Sequence, residues 1–350
     1  MVKIPVAVLG ATGAVGQRFI YHLNQHPWFE VVALTGSDRT TGKSFHDSCR
    51  WIIPAPMPEW AGEMEVLPSE PNGIDARIVF SALPSGIARK VEPEFANAGI
   101  AVCSNASAFR AEPDVPILLP EVNPDHVQLV EIQREKRGWK GAILTNPNCT
   151  STGMTIALKA IQDMVGVKRA FVVSLQALSG AGYPGVPSLD IQDNVIPYIA
   201  DEEDKVENEP RKMLGKLNGG LIEPAEITIS AHTNRVGVSE GHIVCMSVEV
   251  LNPSDLSKIR EALTGYQPPS ICKDLPSTPN PVIQVMDEDD RPQPRLDRNL
   301  GNGMTTVVGR LRTDPVFDFK MVVLSHNTIR GAAGGSIYNA ELLVKSGLFS

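Results

Sequence analysis

No apolar run in this 350-residue chain approaches the roughly 20 residues that a membrane-spanning helix needs, so none is expected. No block of lysine and arginine exists either. The 32 basic and 40 acidic residues are interspersed, and a net charge of −8 offers nucleic acid no footprint. The five cysteines, at 49, 103, 149, 245 and 272, form no CxxC pair and are odd in number. That excludes a disulfide framework and suits free thiols in a reducing cytoplasm. No histidines or cysteines stand at metal-ligand spacing, so no metal is expected. Met1 to Pro5 carry no signal-peptide pattern, and neither repeats nor long low-complexity segments occur. What remains is ordinary globular composition, 42% apolar and 21% charged, in a chain long enough for two domains.

The first half alternates strands with helices. Residues 6–9 (VAVL) read as a buried strand that runs into Gly10-Ala11-Thr12-Gly13-Ala14-Val15-Gly16 and then a helical pattern through Phe19, Ile20 and Leu23. Glycines at such a turn let backbone N–H groups approach a pyrophosphate at the helix N-terminus. The spacing is GxxGxxG, not GxGxxG. A second strand, 30–35, ends near Gly36-Ser37-Asp38-Arg39-Thr40. Where a site for NAD carries an acidic residue this chain has Gly36 with Arg39 close behind, which favours NADP. Residues 41–72 read as an irregular excursion. A strand at 76–81, a helix over 85–98 and a strand at 101–104 follow, as in a parallel sheet with right-handed crossovers. Arg110 lies just past the last of these, at the edge where such sheets bind ligands. Its planar fork suits a carboxylate or phosphate, although taken without the rest of the chain it reads first as a surface ion pair.

The chain is organised around Asn146-Pro147-Asn148-Cys149-Thr150, between an apolar run at 142–144 and a helical pattern through Met154, Ala157, Leu158, Ile161 and Val165. Cys149 is thus expected at a helix N-terminus, which favours a thiolate. A free thiol needs roughly 2 kcal/mol to be half ionised at pH 7, and a helix terminus gives about 0.3–1 kcal/mol. A second group, a histidine, is required. Without one, Cys149 is a small buried hydrophobe.

Beyond it, strands are expected at 170–177, 227–232, 243–250, 305–311 and 318–325, forming a mainly antiparallel sheet with helices on one side. Arg235 and His242 are seven apart across a connection and can face one pocket, His242 as general base and Arg235 as carboxylate ligand. Of seven histidines, His242 is the first choice and His232 the second. Gln176 ends a strand ahead of the glycine-rich turn Ser179-Gly180-Ala181-Gly182, which permits close approach of a flat ring. The acidic run 201–204 reads as a solvated face, and 267–300 as a surface excursion or subunit contact. The last segment, 337–348, follows Gly331-Ala332-Ala333-Gly334-Gly335 and is expected to return to the first domain.

Taken together, Gly10 to Gly16, the SNASAFR stretch at 104–110, Pro120-Glu121-Val122-Asn123, NPNCT, Gln176 with Ser179-Gly180, Arg235 to His242 and the final GAAGG resemble aspartate-semialdehyde dehydrogenase, in the branch found in archaea and fungi. The match runs nearly end to end. The resemblance implies an α/β protein: a Rossmann NADP-binding domain, 1–148 with 328–350, and a catalytic and dimerisation domain, 149–327. The latter would be α+β, of the kind seen at the C-terminus of glyceraldehyde-3-phosphate dehydrogenase. It implies Cys149 as thioester nucleophile, His242 as acid/base, and Gln176 and Arg235 as positioning groups. Arg110 and Lys212, with Asn148, would hold the phosphoryl group, and Glu209 the substrate amine. Gly10, Thr12, Gly13, Ala14, Val15, Ser37, Arg39, Thr40, Ser179, Gly180 and Asn327 would contact NADP. Two departures stand out: Gly237 where proline is common, and Pro210 directly after Glu209. Glu209 is then expected just before a helix that Pro210 opens.

The implied reaction is NADPH-dependent reduction of L-4-aspartyl phosphate to the semialdehyde, with release of inorganic phosphate, in lysine, threonine and methionine biosynthesis. The implied assembly is a homodimer or homotetramer. Malonyl-CoA reductase, using NADPH, is the nearest alternative, and a non-catalytic NADP-binding sensor is the alternative from another class. The Cys-Thr-Thr-Asn pattern of ordinary glyceraldehyde-phosphate dehydrogenases is absent.

Overall fold

Val6 to Leu9 have no exposure at all, the pattern of a strand covered on both faces in the middle of a parallel sheet. The structure, a computed structural model, describes residues 2–349. In it β1 (Ile4–Leu9) is flanked by β2 (Phe29–Gly36) and β4 (Ile78–Ser81). The sheet is completed by β3 (Val66–Pro68), β5 (Ala101–Ser104) and β6 (Ala142–Thr145) in the order β3-β2-β1-β4-β5-β6, every pairing parallel. The helices α1 (Ala14–Leu23), α2 (Ser85–Asn97) and α3 (Leu129–Arg137) supply crossovers. The parallel sheet that the strand–helix alternation predicts is thus present, with β3 as a sixth strand that the alternation did not reveal.

Two glycines of the first turn have separate reasons. Gly10 has φ +72°, a region side chains avoid. A β-carbon at Gly16 would lie 2.7 Å from Cα of Ala11, so only glycine lets α1 pack against the end of β1.

Cys149 begins α4 (Cys149–Val165), which crosses to a second six-stranded sheet. Its strands are β7 (Val167–Gln176), β8 (Thr228–Arg235), β9 (His242–Val250), β10 (Ile283–Val285), β11 (Thr306–Thr313) and β12 (Phe319–Ser325), in the order β8-β7-β9-β12-β11-β10. The three inner pairings are antiparallel, as expected. Both edge pairings, β8 on β7 and β10 on β11, are parallel. One face is covered by α4, α5 (Glu202–Met213) and α6 (Leu256–Thr264), whose Met154, Ile161, Val206 and Ile259 join Val172, Val244 and Val323 in one core.

Two stretches depart from the reading above. Residues 41–72 are not wholly irregular: they contain β3 and two short helices, Phe45–Ser48 and Glu59–Glu63. Residues 267–300 are not a surface excursion. They bury Cys272, Leu275 and Val282 and contribute β10. The last helix, α7 (Gly334–Lys345), follows a wide π turn over Ile329–Ala333 and packs Ile337, Tyr338 and Leu342 against the core of the first sheet, as expected. Among the described residues no helix is long and apolar enough to cross a membrane.

Candidate active site

The loop between β6 and α4 ends on Asn148, the N-cap of α4. Its side-chain oxygen accepts from the N–H groups of Thr150 at 2.9 Å and Ser151 at 3.0 Å. Cys149 is therefore the first helical residue, held by a cap that its own sequence supplies. The β8–β9 connection brings His242 from the second sheet, and His242 Nε2 stands 3.2 Å from Cys149 Sγ. The other ring nitrogen, Nδ1, accepts from the N–H of Ala177 at 3.1 Å. A neutral imidazole that accepts at Nδ1 carries its hydrogen on Nε2. That hydrogen points at the sulfur.

The surroundings of the sulfur oppose the thiolate that the helix terminus favours. Cys149 keeps an edge on the cleft, yet burial pushes its thiol up to about 12, and the nearby Glu202 carboxylate adds to the effect. Arg110, Arg235 and a backbone hydrogen bond to the sulfur pull the other way and do not offset it. Burial, helped by Arg235 and His326, holds His242 down to about 3. Burial thus works against both the thiolate and the imidazolium while the cleft is empty. A helix terminus worth about 0.3–1 kcal/mol does not overcome that desolvation.

The other expected residues gather here with altered partners. Gln176, at the end of β7, donates from Nε2 to Glu202 at 2.9 Å. Arg235, at the end of β8, donates to the carbonyl of Ala177 at 2.7 Å. Arg110 donates to Glu209 at 2.9 Å and to the carbonyl of Asn105 at 2.9 Å. The second Glu209 oxygen accepts from the backbone N–H of Asn148 at 2.6 Å. Glu209 lies within α5, not ahead of it, and Pro210 sits inside that helix. Tertiary packing overrides the extended bias of a residue before proline. Lys212 donates to the carbonyls of Arg110, Glu112 and Val115 at 2.8, 2.7 and 2.7 Å. Asn148 is occupied by its cap and by Glu202 at 2.9 Å. His232 is exposed on the outer face of β8, against the edge of Phe171, and takes no part.

Sequence reasoning missed Glu202. The acidic run was read as solvated, but Glu202 is only 6% exposed. One of its oxygens accepts from Asn148, from Gln176 and from the hydroxyl of Thr150 at 3.2 Å. It ties the helix cap to the end of β7. The available signal was spacing: Glu202, Lys205, Glu209 and Lys212 fall on one face of α5. Glu121 of the Pro120–Asn123 motif is structural, pairing with Arg330 at 2.5 Å with both side chains fully buried.

The same cleft, about 330 Å³, extends from Cys149 past Ser179, Gly180 and Asn327 to Val15 at the start of α1. Asn327 orients that wall, accepting from the N–H of Gly241 and donating to Ser179 Oγ, both at 2.8 Å. A β-carbon on Gly180 would lie 2.7 Å from Arg235 Nη1 and 3.1 Å from His242 Cε1, so glycine there serves the two side chains directly. The N-terminus of α1 has Gly13 as N-cap, no side-chain cap and no acidic residue in its first turn, which suits an anion. At the end of β2, a β-carbon on Gly36 would lie 2.8 Å from Val66 Cγ1 and collide with the Thr40 hydroxyl, leaving no room for an acidic side chain. Ser37 and Arg39 are exposed beside it, and Thr40 donates to the carbonyl of Ser37 at 2.9 Å.

Family models match over most of the chain: semialdehyde dehydrogenase, NAD binding domain, over residues 5–130, and semialdehyde dehydrogenase, dimerisation domain, over residues 158–330. An aspartate-semialdehyde dehydrogenase of Archaeoglobus fulgidus is 52% identical over 98% of this chain and 98% of its own length. The chain belongs to the aspartate-semialdehyde dehydrogenase family. Another aspartate-semialdehyde dehydrogenase, of Schizosaccharomyces pombe, is 44% identical over 98% of both chains. Among solved structures, aspartate-semialdehyde dehydrogenase of Candida albicans with NADP has a TM-score of 0.91 at 40% identity, covering 99% of both chains. Aspartate-semialdehyde dehydrogenase II of Vibrio cholerae complexed with ASA has a TM-score of 0.77 at 26% identity, again over 99% of both.

Proposed function

We propose that the protein is a cytoplasmic NADPH-dependent enzyme that converts L-4-aspartyl phosphate to L-aspartate 4-semialdehyde and inorganic phosphate through a thioester on Cys149. The observation that carries this reading is the 3.2 Å contact of buried His242 with Cys149, which lines a cleft that reaches Val15 at the start of α1. NADP suits the chain because the α1 terminus is open to an anion and Gly36 bars the acidic residue of an NAD site. Val15, Ser179, Gly180 and Asn327 line the nicotinamide end. Gly10, Thr12, Gly13 and Ala14 border the pyrophosphate, and Ser37, Arg39 and Thr40 the 2′-phosphate.

Cys149 attacks the acyl phosphate carbon. The C–O bond to phosphate breaks, and the proton that the thiol loses balances the one that the leaving phosphate gains. Splitting the reduction at a covalent intermediate replaces one hard step by two easier ones. Reduced nicotinamide, when bound, supplies hydride to the thioester carbon. His242 Nε2–H then donates to the oxygen that gains charge, and collapse returns the aldehyde and a sulfur anion beside the same donor. With Nδ1 committed to Ala177, His242 acts here as a fixed hydrogen-bond donor more than as a base that stores a proton. Arg235 serves the substrate carboxylate, Glu209 and Gln176 orient the substrate, and Arg110 faces the phosphate.

The chain is read as a nucleotide-binding unit of 1–148 with 328–350 and a catalytic unit of 149–327, supported by the return of α7 to the first sheet. It is further read as a homodimer or homotetramer, since the second family model it matches is a dimerisation domain. The test is turnover of aspartate semialdehyde with phosphate and NADP, beside turnover of malonyl-CoA with NADPH. Wild-type protein should act on the first pair, and Cys149→Ala should not. Full activity in that variant, or preference for malonyl-CoA, overturns the reading.

A further inference from the structure

The approach to His242 is held at each backbone step. Ser239-Glu240-Gly241 leads directly into β9, which His242 opens. Arg298 donates to the carbonyl of Glu240 at 3.1 Å. Gly241 has φ +96° and gives its N–H to Asn327 at 2.8 Å. A β-carbon on it would meet Cβ of Pro294 at 3.1 Å and Cβ of Arg298 at 3.3 Å. Little slack remains between Glu240 and His242, so a displacement of the first is passed to the second.

Glu240 is in turn gripped by its side chain. Arg18 of α1 forms an ion pair with Oε1 across 222 positions of sequence. The Thr328 hydroxyl donates to the same oxygen at 3.0 Å, and His326 Nε2 stands 3.6 Å from the other oxygen. Burial works to raise the carboxyl, but Arg18, His326 and Thr328 outweigh it and hold it below its ordinary value, so Glu240 is charged. The Arg18 side chain is only 11% exposed and that of Glu240 21%, so salt screens the pair little and removal of one partner strands the other. Among these contacts Arg18 alone comes from α1. It sits about one helical turn past Ala14, on the helix whose N-terminus is open to the nucleotide. Arg18 and Glu240 line one cavity with Ala14, and that cavity shares Ser179 and Thr328 with the catalytic cleft.

We propose that Arg18 and Glu240 are positioning residues for His242, and that their ion pair sets the imidazole of the second sheet in register with the helix that seats the cofactor. This rests on the reaction given under Proposed function. Hydride must reach a thioester carbon that lies within range of His242 Nε2. The head of α1 fixes where the nucleotide lies and the start of β9 fixes the imidazole, and the two belong to different sheets. The pair joins them directly, one turn from the first and two residues from the second.

The experiment compares the full-length wild type with Arg18→Met, Glu240→Gln, the double variant and Arg18→Lys. Turnover is measured with aspartate semialdehyde, phosphate and NADP. A misplacement near 1 Å costs about a hundredfold, so a loosened His242 should lower kcat about tenfold or more in each of the first two variants. KM for NADP should stay within about twofold. Because the two residues act as a unit, the double variant should be no more than about twofold worse than either single one. Arg18→Lys should recover most of the loss, since one guanidinium nitrogen makes the contact. A second readout needs no turnover: alkylation of Cys149 by iodoacetamide in the ligand-free protein, followed by peptide mass. It should slow about fivefold or more in both single variants, because the N–H that favours the sulfur anion has moved. Wild-type kcat in Arg18→Met overturns the assignment. So do losses that multiply in the double variant, and so does a loss confined to KM for NADP, which would make Arg18 a cofactor contact. If the wild type lacks phosphate-dependent turnover, the underlying reaction falls instead, and unchanged alkylation in both single variants then overturns the role of the pair.

Discussion

Gly331 gives the sharpest test of how Cys149 is placed. It lies in the π turn ahead of α7, and a β-carbon there would stand 2.7 Å from Cβ, 2.9 Å from Cα and 3.2 Å from the carbonyl oxygen of Cys149. Carbon atoms rest comfortably at about 3.5–4.0 Å, so the methyl of Gly331→Ala arrives about 0.8 Å too close. None of the atoms it meets is the tip of a side chain that could rotate away. Either the turn retreats, at an overpacking cost of about 1–3 kcal/mol, or the head of α4 moves and Sγ leaves its 3.2 Å contact with His242. A misplacement near 1 Å costs about a hundredfold in rate. The expected result is a fall of roughly 30–100-fold in kcat/KM for the semialdehyde, with KM for NADP little changed. NADP reduction is followed by absorbance and the unfolding midpoint by calorimetry. Gly62→Ala, whose added carbon meets nothing closer than 3.4 Å, is the matched control. A Gly331→Ala enzyme with wild-type kcat/KM and an unchanged midpoint would refute the packing argument.

Two other outcomes are expected. Burial holds His22, His242 and His326 down to about 4, 3 and 4, so below pH 6.5 the unfolded chain takes up protons that the folded one refuses. Stability should be full above that pH and fall towards pH 4, by up to about 1.4 kcal/mol per pH unit for each ring; a calorimetric midpoint that stays flat from pH 7.5 to 5 would contradict this. Glu202→Gln keeps an acceptor oxygen for the α4 cap but removes the charge that raises the Cys149 thiol, so alkylation of the ligand-free protein should shift to lower pH while kcat falls. An unmoved alkylation profile would count against any role for that carboxylate in setting the thiol.

What the sequence revealed follows from the range of each physical signal. Val6 to Leu9 and the alternation at 227–232 announce themselves because burial on both faces and on one face leave different apolar patterns. The helical spacing of Met154, Ala157, Leu158 and Ile161 placed Cys149 at a helix start, and the structure adds Asn148 as its cap. β3 and β10 were missed because three-residue strands carry no period, and the residues that bury 267–300 are scattered among prolines and aspartates. The acidic run misled because charge was judged along the chain, whereas α5 sorts it by face and sends Glu202 inward. Pro210 misled by the same locality: packing keeps it inside a helix that its missing N–H weakens. The charge state of Cys149 was illegible for a different reason. The helix terminus is a local feature, but the desolvation that outweighs it comes from residues gathered across the whole chain.

The buried thiol has one more consequence. The sulfur anion, not the thiol, attacks a peroxide oxygen and breaks the O–O bond, and the oxidation ladder to sulfenic and sulfinic acid begins there. Burial that pushes the thiol up lowers the thiolate fraction while the cleft is empty, and so slows this reaction during the idle part of each cycle, when no acyl group covers the sulfur. The burial that slows ionisation thus also preserves the catalyst.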